Sequence, residues 1–234
     1  MQAVVPAAGE GTRLRPHTAD QPKGLVEVAG KPLLSYVFEM LTDLGVDDIV
    51  VVVGYRGEQI REYYGDAFEG IPLSYVDQDE RLGLAHAVRQ AAPLVDEEFV
   101  LLNGDNVFDA DLSPMVERHR ESDAAVTTVV EEVSRERARE GGVFAFEDCE
   151  VVGVVEKPDD PPSRMIPRGV SVCSPLLFPA CELVTSGHTG EYELSAAFDL
   201  LVRAGHDIET VPFDGWCCNV NTVADCERVA AHFD

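Results

Sequence analysis

Short, continuous apolar runs alternate with amphipathic stretches through the first half of the chain. Runs that are apolar at nearly every position predict strands buried on both faces of a parallel sheet. The first such run begins at Ala3, and others are predicted at 49–53, 73–76 and 99–102, with helices at 32–44, 58–64 and 84–92. This alternation predicts successive β-α-β units and therefore an α/β fold.

The second half is less regular. Strands are predicted at 125–130, 143–146, 151–155 and near 209–211, a helix is predicted at 193–203, and helix starts are predicted at Ser113-Pro114 and Ser174-Pro175. Thr222 and Asp225 have the spacing of a capping box, which predicts that a C-terminal helix starts there. We therefore expect an α/β core with antiparallel additions.

The length of 234 residues fits one domain of ordinary size, 1–234, with its own hydrophobic core. No apolar run approaches the ~18 residues of a membrane span, and no basic-then-apolar leader is found. We therefore expect a cytoplasmic protein without a membrane anchor. Whether it forms a homo-oligomer is left open.

The net charge of −25 argues against binding to nucleic acid backbones or to anionic membranes. Only three of the 18 cationic side chains are lysines, namely Lys23, Lys31 and Lys157. A surface that is poor in Lys and rich in Asp and Glu resembles that of halophilic proteins, which rely on salt to screen self-repulsion. An ordinary acidic cytosolic enzyme is the alternative.

The six cysteines include no C-x-x-C pair and no histidine at a spacing typical of zinc sites. We expect buried, reduced thiols, with a packing role for Cys217-Cys218.

A loop follows the first predicted strand, where Gly9 and Gly11 allow several backbone amides to turn toward one point. Arg13 and Lys23 add fixed positive charge to the same segment. Amides together with Arg and Lys are well suited to bind a triphosphate.

Two commoner phosphate motifs do not fit. Five residues rather than four separate Gly24 from Gly30, and Pro32 stands where a Walker loop needs Ser or Thr. The dinucleotide fingerprint fails because Leu14 occupies its third glycine position. The stretch Val-Pro-Ala-Ala-Gly-Glu-Gly-Thr-Arg instead resembles the signature of the sugar-phosphate nucleotidylyltransferases, and most closely the glucose-1-phosphate uridylyltransferases and thymidylyltransferases.

This resemblance implies a Rossmann-like, three-layer mixed sheet of the nucleotide-diphospho-sugar transferase type. It implies a nucleotide-binding half at about 1–110 and a sugar-phosphate-binding half at about 111–234. The nucleotide-binding positions that it implies are Ala8, Gly9, Gly11, Thr12, Arg13, Gln78 and Gly83. Among these, the Gln78 amide would pair with uracil or thymine while Gly83 lets the backbone approach the ring. A solvated loop glutamine is the alternative for Gln78.

On the sugar side, Glu156-Lys157-Pro158 matches the family's Glu-Lys-Pro motif. The resemblance implies that Glu156 accepts sugar hydroxyls and that Lys157 meets the sugar phosphate. Gly142 and Glu191 align with further sugar-side positions, although each is also compatible with a simple turn or helix start.

Asp105 follows a predicted strand in Asn-Gly-Asp-Asn and is our candidate ligand for Mg²⁺, with a plain Asx turn as the alternative. The enzymes that this chain resembles usually have the sequence Trp-x-Asp, in which the Asp is the second metal ligand. Here an extra residue follows Trp216, and Asn219 takes the acidic position, as an Asn does in N-acetylglucosamine-1-phosphate uridylyltransferases. We predict that Asn219 completes the metal site, with Asn221 as the fallback.

The resemblance implies transfer of a nucleotidyl group from UTP or dTTP to a sugar 1-phosphate, with Arg13, Lys23 and Lys157 as the catalytic cations. Glucose 1-phosphate is the expected acceptor, and N-acetylglucosamine 1-phosphate is the alternative. A catalytically silent protein that only binds sugar nucleotides is the alternative from another functional class.

Overall fold

The computed structural model describes residues 1–187 and 190–233. Its strands are Gln2–Pro6 (β1), Glu27–Val28 (β2), Lys31–Pro32 (β3), Asp48–Val53 (β4), Ala67–Phe68 (β5), Ile71–Asp77 (β6), Phe99–Leu102 (β7), Asn106–Asp109 (β8), Val126–Glu132 (β9), Gly142–Glu147 (β10), Glu150–Glu156 (β11), Met165–Cys173 (β12), Ile208–Pro212 (β13) and Trp216–Asn219 (β14). Its α-helices are Leu33–Asp43 (α1), Gly57–Tyr64 (α2), Leu84–Gln90 (α3), Ser113–Arg120 (α4), Arg135–Ala138 (α5), Leu177–Leu183 (α6), Leu194–Arg203 (α7) and Val223–Phe233 (α8). Short 3₁₀ helices lie at Thr12–Leu14, Lys23–Leu25 and Ala92–Leu94.

The chain divides into two compact units that are discontinuous in sequence. Unit 1 comprises Met1–Arg81, Leu102–Asp111 and the C-terminal segment from Asp214, and unit 2 comprises Leu82–Leu101 and Leu112–Phe213. Each unit contains a mixed set of parallel and antiparallel strand pairs together with helices, which confirms the expected α/β fold with antiparallel additions.

In unit 1 the strand order is β1-β4-β6-β5. β4 pairs in parallel with β1 and with β6, while the short β5 pairs antiparallel with β6 at the edge. Residues 49–53 of β4 are completely buried, because a strand covered on both faces must be apolar at successive positions. The β8-β14 and β2-β3 pairs are antiparallel ribbons in the same unit.

In unit 2 the strand order is β13-β9-β12-β7. β9 pairs in parallel with β13 and antiparallel with β12, and β10 with β11 forms a separate antiparallel hairpin. The hairpin is important for the site because Gly142 on β10 pairs directly with Glu156 on β11.

Several short elements were not predicted from the sequence, among them β2, β3, β5, β8, β14 and α5, and other expectations differ from the structure as follows. The nine-residue strand β12 was not predicted, because its pairing with β9 shifts register between Pro167 and Ser171 around the left-handed Gly169 (φ 77°). The helix expected from Ser174-Pro175 begins only at Leu177. Cys149 is exposed, so the expectation that all thiols are buried was wrong at that position.

Buried thiols in unit 2 do have the expected character. Burial raises the pKa of Cys181 to about 12 and also raises the pKa of Cys173. Both therefore stay protonated near neutral pH and pack as small apolar side chains. None of the helices in the described part of the chain is long and apolar enough to cross a membrane.

Candidate active site

The loop after β1 packs against the stem of Lys23. Gly11 has a left-handed backbone (φ 64°), and its carbonyl accepts hydrogen bonds from Thr18 Oγ1 at 2.8 Å and from the Leu14 amide at 2.9 Å. A Cβ atom at Gly11 would lie 3.1 Å from both Lys23 Cβ and Thr18 Cγ2. Glycine at this position therefore serves both the turn and the close approach of Lys23.

Lys23 is buried, and its ammonium group has two partners in unit 1. Nζ donates to Asp105 Oδ2 at 2.7 Å and to Asn221 Oδ1 at 2.9 Å. The backbone of Asp105 is also fixed, because its carbonyl accepts a hydrogen bond from the Val220 backbone amide at 2.8 Å. Two residues that the sequence analysis selected separately, Lys23 and Asp105, therefore form one ion pair.

Arg13 reaches the same cluster through Asn221. Its Nη2 donates to Asn221 Oδ1 at 3.0 Å, so one amide oxygen accepts from both Arg13 and Lys23. Asn221 Nδ2 in turn donates to Asn219 Oδ1. Asn219 thus adjoins the cluster through Asn221, and its role as a metal ligand stays a prediction.

The predicted capping box is present at the start of α8. Thr222 Oγ1 and the Thr222 amide donate to Asp225 Oδ2 at 2.9 and 2.8 Å, and the Asp225 amide donates to Thr222 Oγ1 at 3.3 Å. Burial alone would raise the pKa of Asp225, but hydrogen bonds from Asn221 and Thr222 outweigh it and lower that pKa. The carboxylate is therefore charged at neutral pH and fixes the turn that presents Asn221.

A carboxylate in unit 1 that lies beside two arginines was not predicted from the sequence. Glu10, between the two glycines of the loop, lies 2.6 Å from Arg15 Nη2 and 3.6 Å from Arg81 Nη2. The Arg81 guanidinium also lies 5.9 Å from the centroid of the Tyr55 ring. Arg15 is close to Glu10 in sequence and could have been recognised, but Arg81 offered no local signal.

The proposed base-reading residues differ in what surrounds them. Gln78 is only 4% exposed, and its backbone N–H donates to the Val53 carbonyl at 2.7 Å, so it is not a solvated loop residue. Gly83 in unit 2 has φ 120°, and a Cβ there would lie 2.7 Å from both the amide nitrogen and the carbonyl oxygen of Tyr192. The close packing of the Tyr192 backbone thus already requires glycine at position 83. The approach of Gly83 to a base stays a prediction.

In unit 2, Glu156 lies at the end of β11 opposite Gly142. Its Oε2 accepts a hydrogen bond from Ser195 Oγ at 2.7 Å. A Cβ at Gly142 would lie 3.1 Å from Ser195 Cβ and 3.4 Å from Glu156 Oε2, so the glycine leaves room for this contact. Ser195 was not selected from the sequence, although it follows directly on Gly-Glu-Tyr-Glu-Leu.

Lys157 lies between two carboxylates of unit 2. Its Nζ is 3.5 Å from Glu156 Oε1 and 3.7 Å from Glu193 Oε1, and its amide donates to the Gly141 carbonyl at 2.9 Å. The backbone at Lys157 is left-handed (φ 43°), which is unusual for a residue with a side chain. Glu193, which was not selected from the sequence, thus joins Glu156 beside Lys157. A sugar-binding role for Glu191 stays a prediction.

The candidate metal ligands Asp105, Asn219 and Asn221 offer side-chain oxygen atoms to a cation. No group of three His, Cys, Asp or Glu side chains within residues 1–187 and 190–233 is placed to hold a metal. A cation here would therefore rely on the Asp105 carboxylate, an amide oxygen and substrate phosphates. That donor set fits Mg²⁺, which is often bound by one or two carboxylates together with phosphates and water.

Ligands of open α/β sheets bind beyond the carboxyl ends of the strands, and Arg13, Lys23 and Asp105 lie in segments that follow β1 and β7. Residues 2–225 match the family model described as nucleotidyl transferase. The chain therefore belongs to the nucleotidyl transferase family, which confirms the resemblance found in the sequence.

Several individual proteins of this family are similar to the chain along most of its length. The chain is 46% identical over 226 residues to the UTP–glucose-1-phosphate uridylyltransferase AglF of Haloferax volcanii. The aligned region covers 96% of this chain and 93% of AglF. The chain is 33% identical over 231 residues to a glucose-1-phosphate thymidylyltransferase of Streptomyces antibioticus, of which it spans only 65%. A solved UDP-glucose pyrophosphorylase in complex with UDP-glucose superimposes with a TM-score of 0.90 at 24% identity, over 99% of this chain and 97% of that one, which supports the fold.

Proposed function

We propose that this protein transfers the uridylyl or thymidylyl group of UTP or dTTP to glucose 1-phosphate, releasing pyrophosphate. The observation that supports this most directly is the cluster in which Lys23 donates to Asp105 and both Lys23 and Arg13 donate to Asn221. The similarity to AglF along almost the entire length of both chains favours UTP and glucose 1-phosphate among the possible substrates. Such substrates are metabolites of the cytoplasm, and we propose that the protein acts in that compartment.

The reaction is a single in-line displacement. A phosphate oxygen of the sugar 1-phosphate attacks the α-phosphorus of the triphosphate, the new P–O bond forms, and the bond from the α-phosphorus to the bridging oxygen breaks. The bridging oxygen leaves with pyrophosphate, so no protein nucleophile is required. The contribution of the protein is to position the two substrates and to neutralise developing charge.

Each cationic residue has a distinct task in this scheme. Arg13 and Lys23 bind the triphosphate, and Lys157 binds the sugar phosphate. Glu156, oriented by Ser195, accepts hydroxyl groups of the sugar, with Gly142 leaving space beside it. Gln78 and Gly83 bind the pyrimidine.

A divalent metal is generally used by enzymes of this family, and we propose Mg²⁺ with Asp105 and Asn219 as its ligands. When bound, it supplies positive charge to the phosphates of the triphosphate. The protein residues keep their own tasks, since Arg13, Lys23 and Lys157 provide positive charge independently of the metal.

One observation favours a second acceptor. Asn219 stands where related glucose-1-phosphate enzymes usually have Asp, and an Asn at this place is also found in N-acetylglucosamine-1-phosphate uridylyltransferases. N-acetylglucosamine 1-phosphate is therefore the alternative substrate.

The test pairs UTP, dTTP, ATP, GTP and CTP with glucose 1-phosphate and N-acetylglucosamine 1-phosphate in Mg²⁺ and molar KCl, and measures pyrophosphate release. We expect turnover with UTP or dTTP and glucose 1-phosphate. Binding of both substrates without pyrophosphate release would contradict an enzymatic role and support a silent sugar-nucleotide binder. Turnover with N-acetylglucosamine 1-phosphate but not with glucose 1-phosphate would show that N-acetylglucosamine 1-phosphate is the acceptor.

A further inference from the structure

Asn221 lies where two cationic side chains of the nucleotide loop meet. Its Oδ1 accepts from Lys23 Nζ at 2.9 Å and from Arg13 Nη2 at 3.0 Å. These residues are 198 and 208 positions away in the chain, so the contact exists only in the folded protein. An amide oxygen has two lone pairs, and both are used here.

Asn221 is itself held in place from two sides. Its backbone amide donates to Asp225 Oδ2 at 3.0 Å, and its side-chain Nδ2 donates to Asn219 Oδ1. Asp225 belongs to the capping box of α8, so the orientation of Asn221 is set by the start of a helix. The amide oxygen therefore points at Arg13 and Lys23 from a fixed support.

A neutral acceptor has an advantage over a carboxylate at this position. Long cationic side chains lose rotamer entropy when they are ordered, so ordering them beforehand favours ligand binding. A carboxylate would order them too, but it would cancel one positive charge. Lys23 already pairs with the Asp105 carboxylate, so the neutral amide of Asn221 orders Arg13 and Lys23 without cancelling any further positive charge.

We infer that Asn221 is a positioning residue that presents Arg13 and Lys23 together to the triphosphate. This inference rests on the proposed function, because it takes UTP or dTTP as the ligand. It also separates two neighbouring asparagines, since Asn219 is the predicted metal ligand while both lone pairs of the Asn221 side-chain oxygen are used by the two cations.

The test compares Asn221→Ala with Thr222→Ala as a matched control. Thr222→Ala weakens the capping box and should lower the stability of the fold, but it leaves the Asn221 side chain in place. UTP binding is measured by calorimetry in EDTA and again in saturating Mg²⁺, at one fixed KCl concentration. We expect Asn221→Ala to weaken UTP binding about tenfold in both conditions, as expected for lost hydrogen bonds to charged groups, and Thr222→Ala to stay within twofold of the parent.

Steady-state kinetics provide a second measurement. Asn221→Ala should raise the KM for UTP about tenfold, leave the KM for glucose 1-phosphate unchanged and leave the Mg²⁺ concentration for half-maximal rate unchanged. Equal weakening of UTP binding in both variants would show that Asn221→Ala acts only through the turn, and would overturn the inference. A raised Mg²⁺ requirement in Asn221→Ala would make Asn221 a metal ligand and would overturn it as well.

Asn221→Asp tests the importance of the neutral amide. We expect it to bind UTP at least tenfold more weakly than the parent, because one of the two cationic charges is cancelled. UTP binding as tight as that of the parent would contradict this. If the parent binds UTP but never turns over, the proposed function fails while these binding comparisons still decide the role of Asn221.

Discussion

Lys23 of unit 1 and Lys157 of unit 2 are both expected to meet a phosphate, but the two units hold them differently. The Lys23 side chain is 11% exposed and makes hydrogen bonds of 2.7 and 2.9 Å. The Lys157 side chain is 44% exposed and stands 3.5 and 3.7 Å from its two carboxylates. Lys23 is therefore fixed in advance, whereas Lys157 is loosely held.

The charges around the two lysines also differ. In unit 1, Lys23 and Arg13 converge with one carboxylate and neutral amides. In unit 2, one ammonium group lies between the carboxylates of Glu156 and Glu193. The first arrangement suits a polyanion such as a triphosphate, and the second suits a ligand with several hydroxyl groups and one phosphate.

The largest effect is expected from Asp105→Ala in unit 1. This change removes the candidate metal ligand and the carboxylate that pairs with Lys23, so we expect kcat to fall ~10²-fold or more. Asp109→Ala, which removes an exposed carboxylate elsewhere in the same unit, is the control and should keep the parental kcat. A nearly unchanged kcat in Asp105→Ala would show that the metal is held elsewhere.

Lys157→Met tests unit 2. Loss of a charged hydrogen-bond donor should raise the KM for glucose 1-phosphate about 10-fold or more, while the KM for UTP stays within about twofold. Lys31→Met is the matched control, because Lys31 pairs with Glu39, lies over the ring of Tyr36 and has no task in the proposed reaction. Equal increases in both KM values for Lys157→Met would contradict the division of tasks between the units.

Salt tests the charge of the whole chain rather than of one site. Because the net charge is −25, self-repulsion should weaken the fold in dilute buffer, and screening should restore it. We expect the Tm to rise by several degrees between dilute buffer and molar KCl, with an equal concentration of sucrose as the control for non-ionic effects. A flat or falling Tm would remove the halophilic interpretation.

The smallest effect is expected at the buried His119 of unit 2. Its Nδ1 is 2.9 Å from Thr127 Oγ1, and burial lowers its pKa, although Glu98 at 3.6 Å opposes the shift. Because the pKa is lower in the folded state, protonation favours the unfolded state. Stability should therefore fall as the pH drops through about 6.5, the value of an exposed histidine, toward the folded pKa.

Chemical denaturation at pH 7.5 and 5.5 measures this contribution. His119→Gln has no titrating group at this position, so its free energy of unfolding should fall less between the two pH values than that of the parent. Carboxylates titrate in both proteins and cancel in the difference. An equal loss in parent and variant would show that His119 does not contribute.

Local sequence determined many of the elements. The run Phe99–Leu102 was predicted with the bounds that β7 has, because four successive buried positions leave little alternative. The capping box of Thr222 and Asp225 was predicted for a similar reason, since both partners lie within one turn. β12 was not predicted, because Pro167 and Gly169 interrupt its pattern and only pairing with β9 defines it as a strand.

The sequence by itself determined which chemical groups are available: a glycine loop with Arg13 and Lys23, a carboxylate at Asp105, and a Glu156-Lys157 pair. These groups follow from residue type and local spacing. Only the tertiary structure decided their partners, placing Asn221 against Lys23 and Glu193 beside Lys157. The physical reason is that a side chain pairs with whatever packing brings within about 3 Å, and packing joins residues that are far apart along the chain.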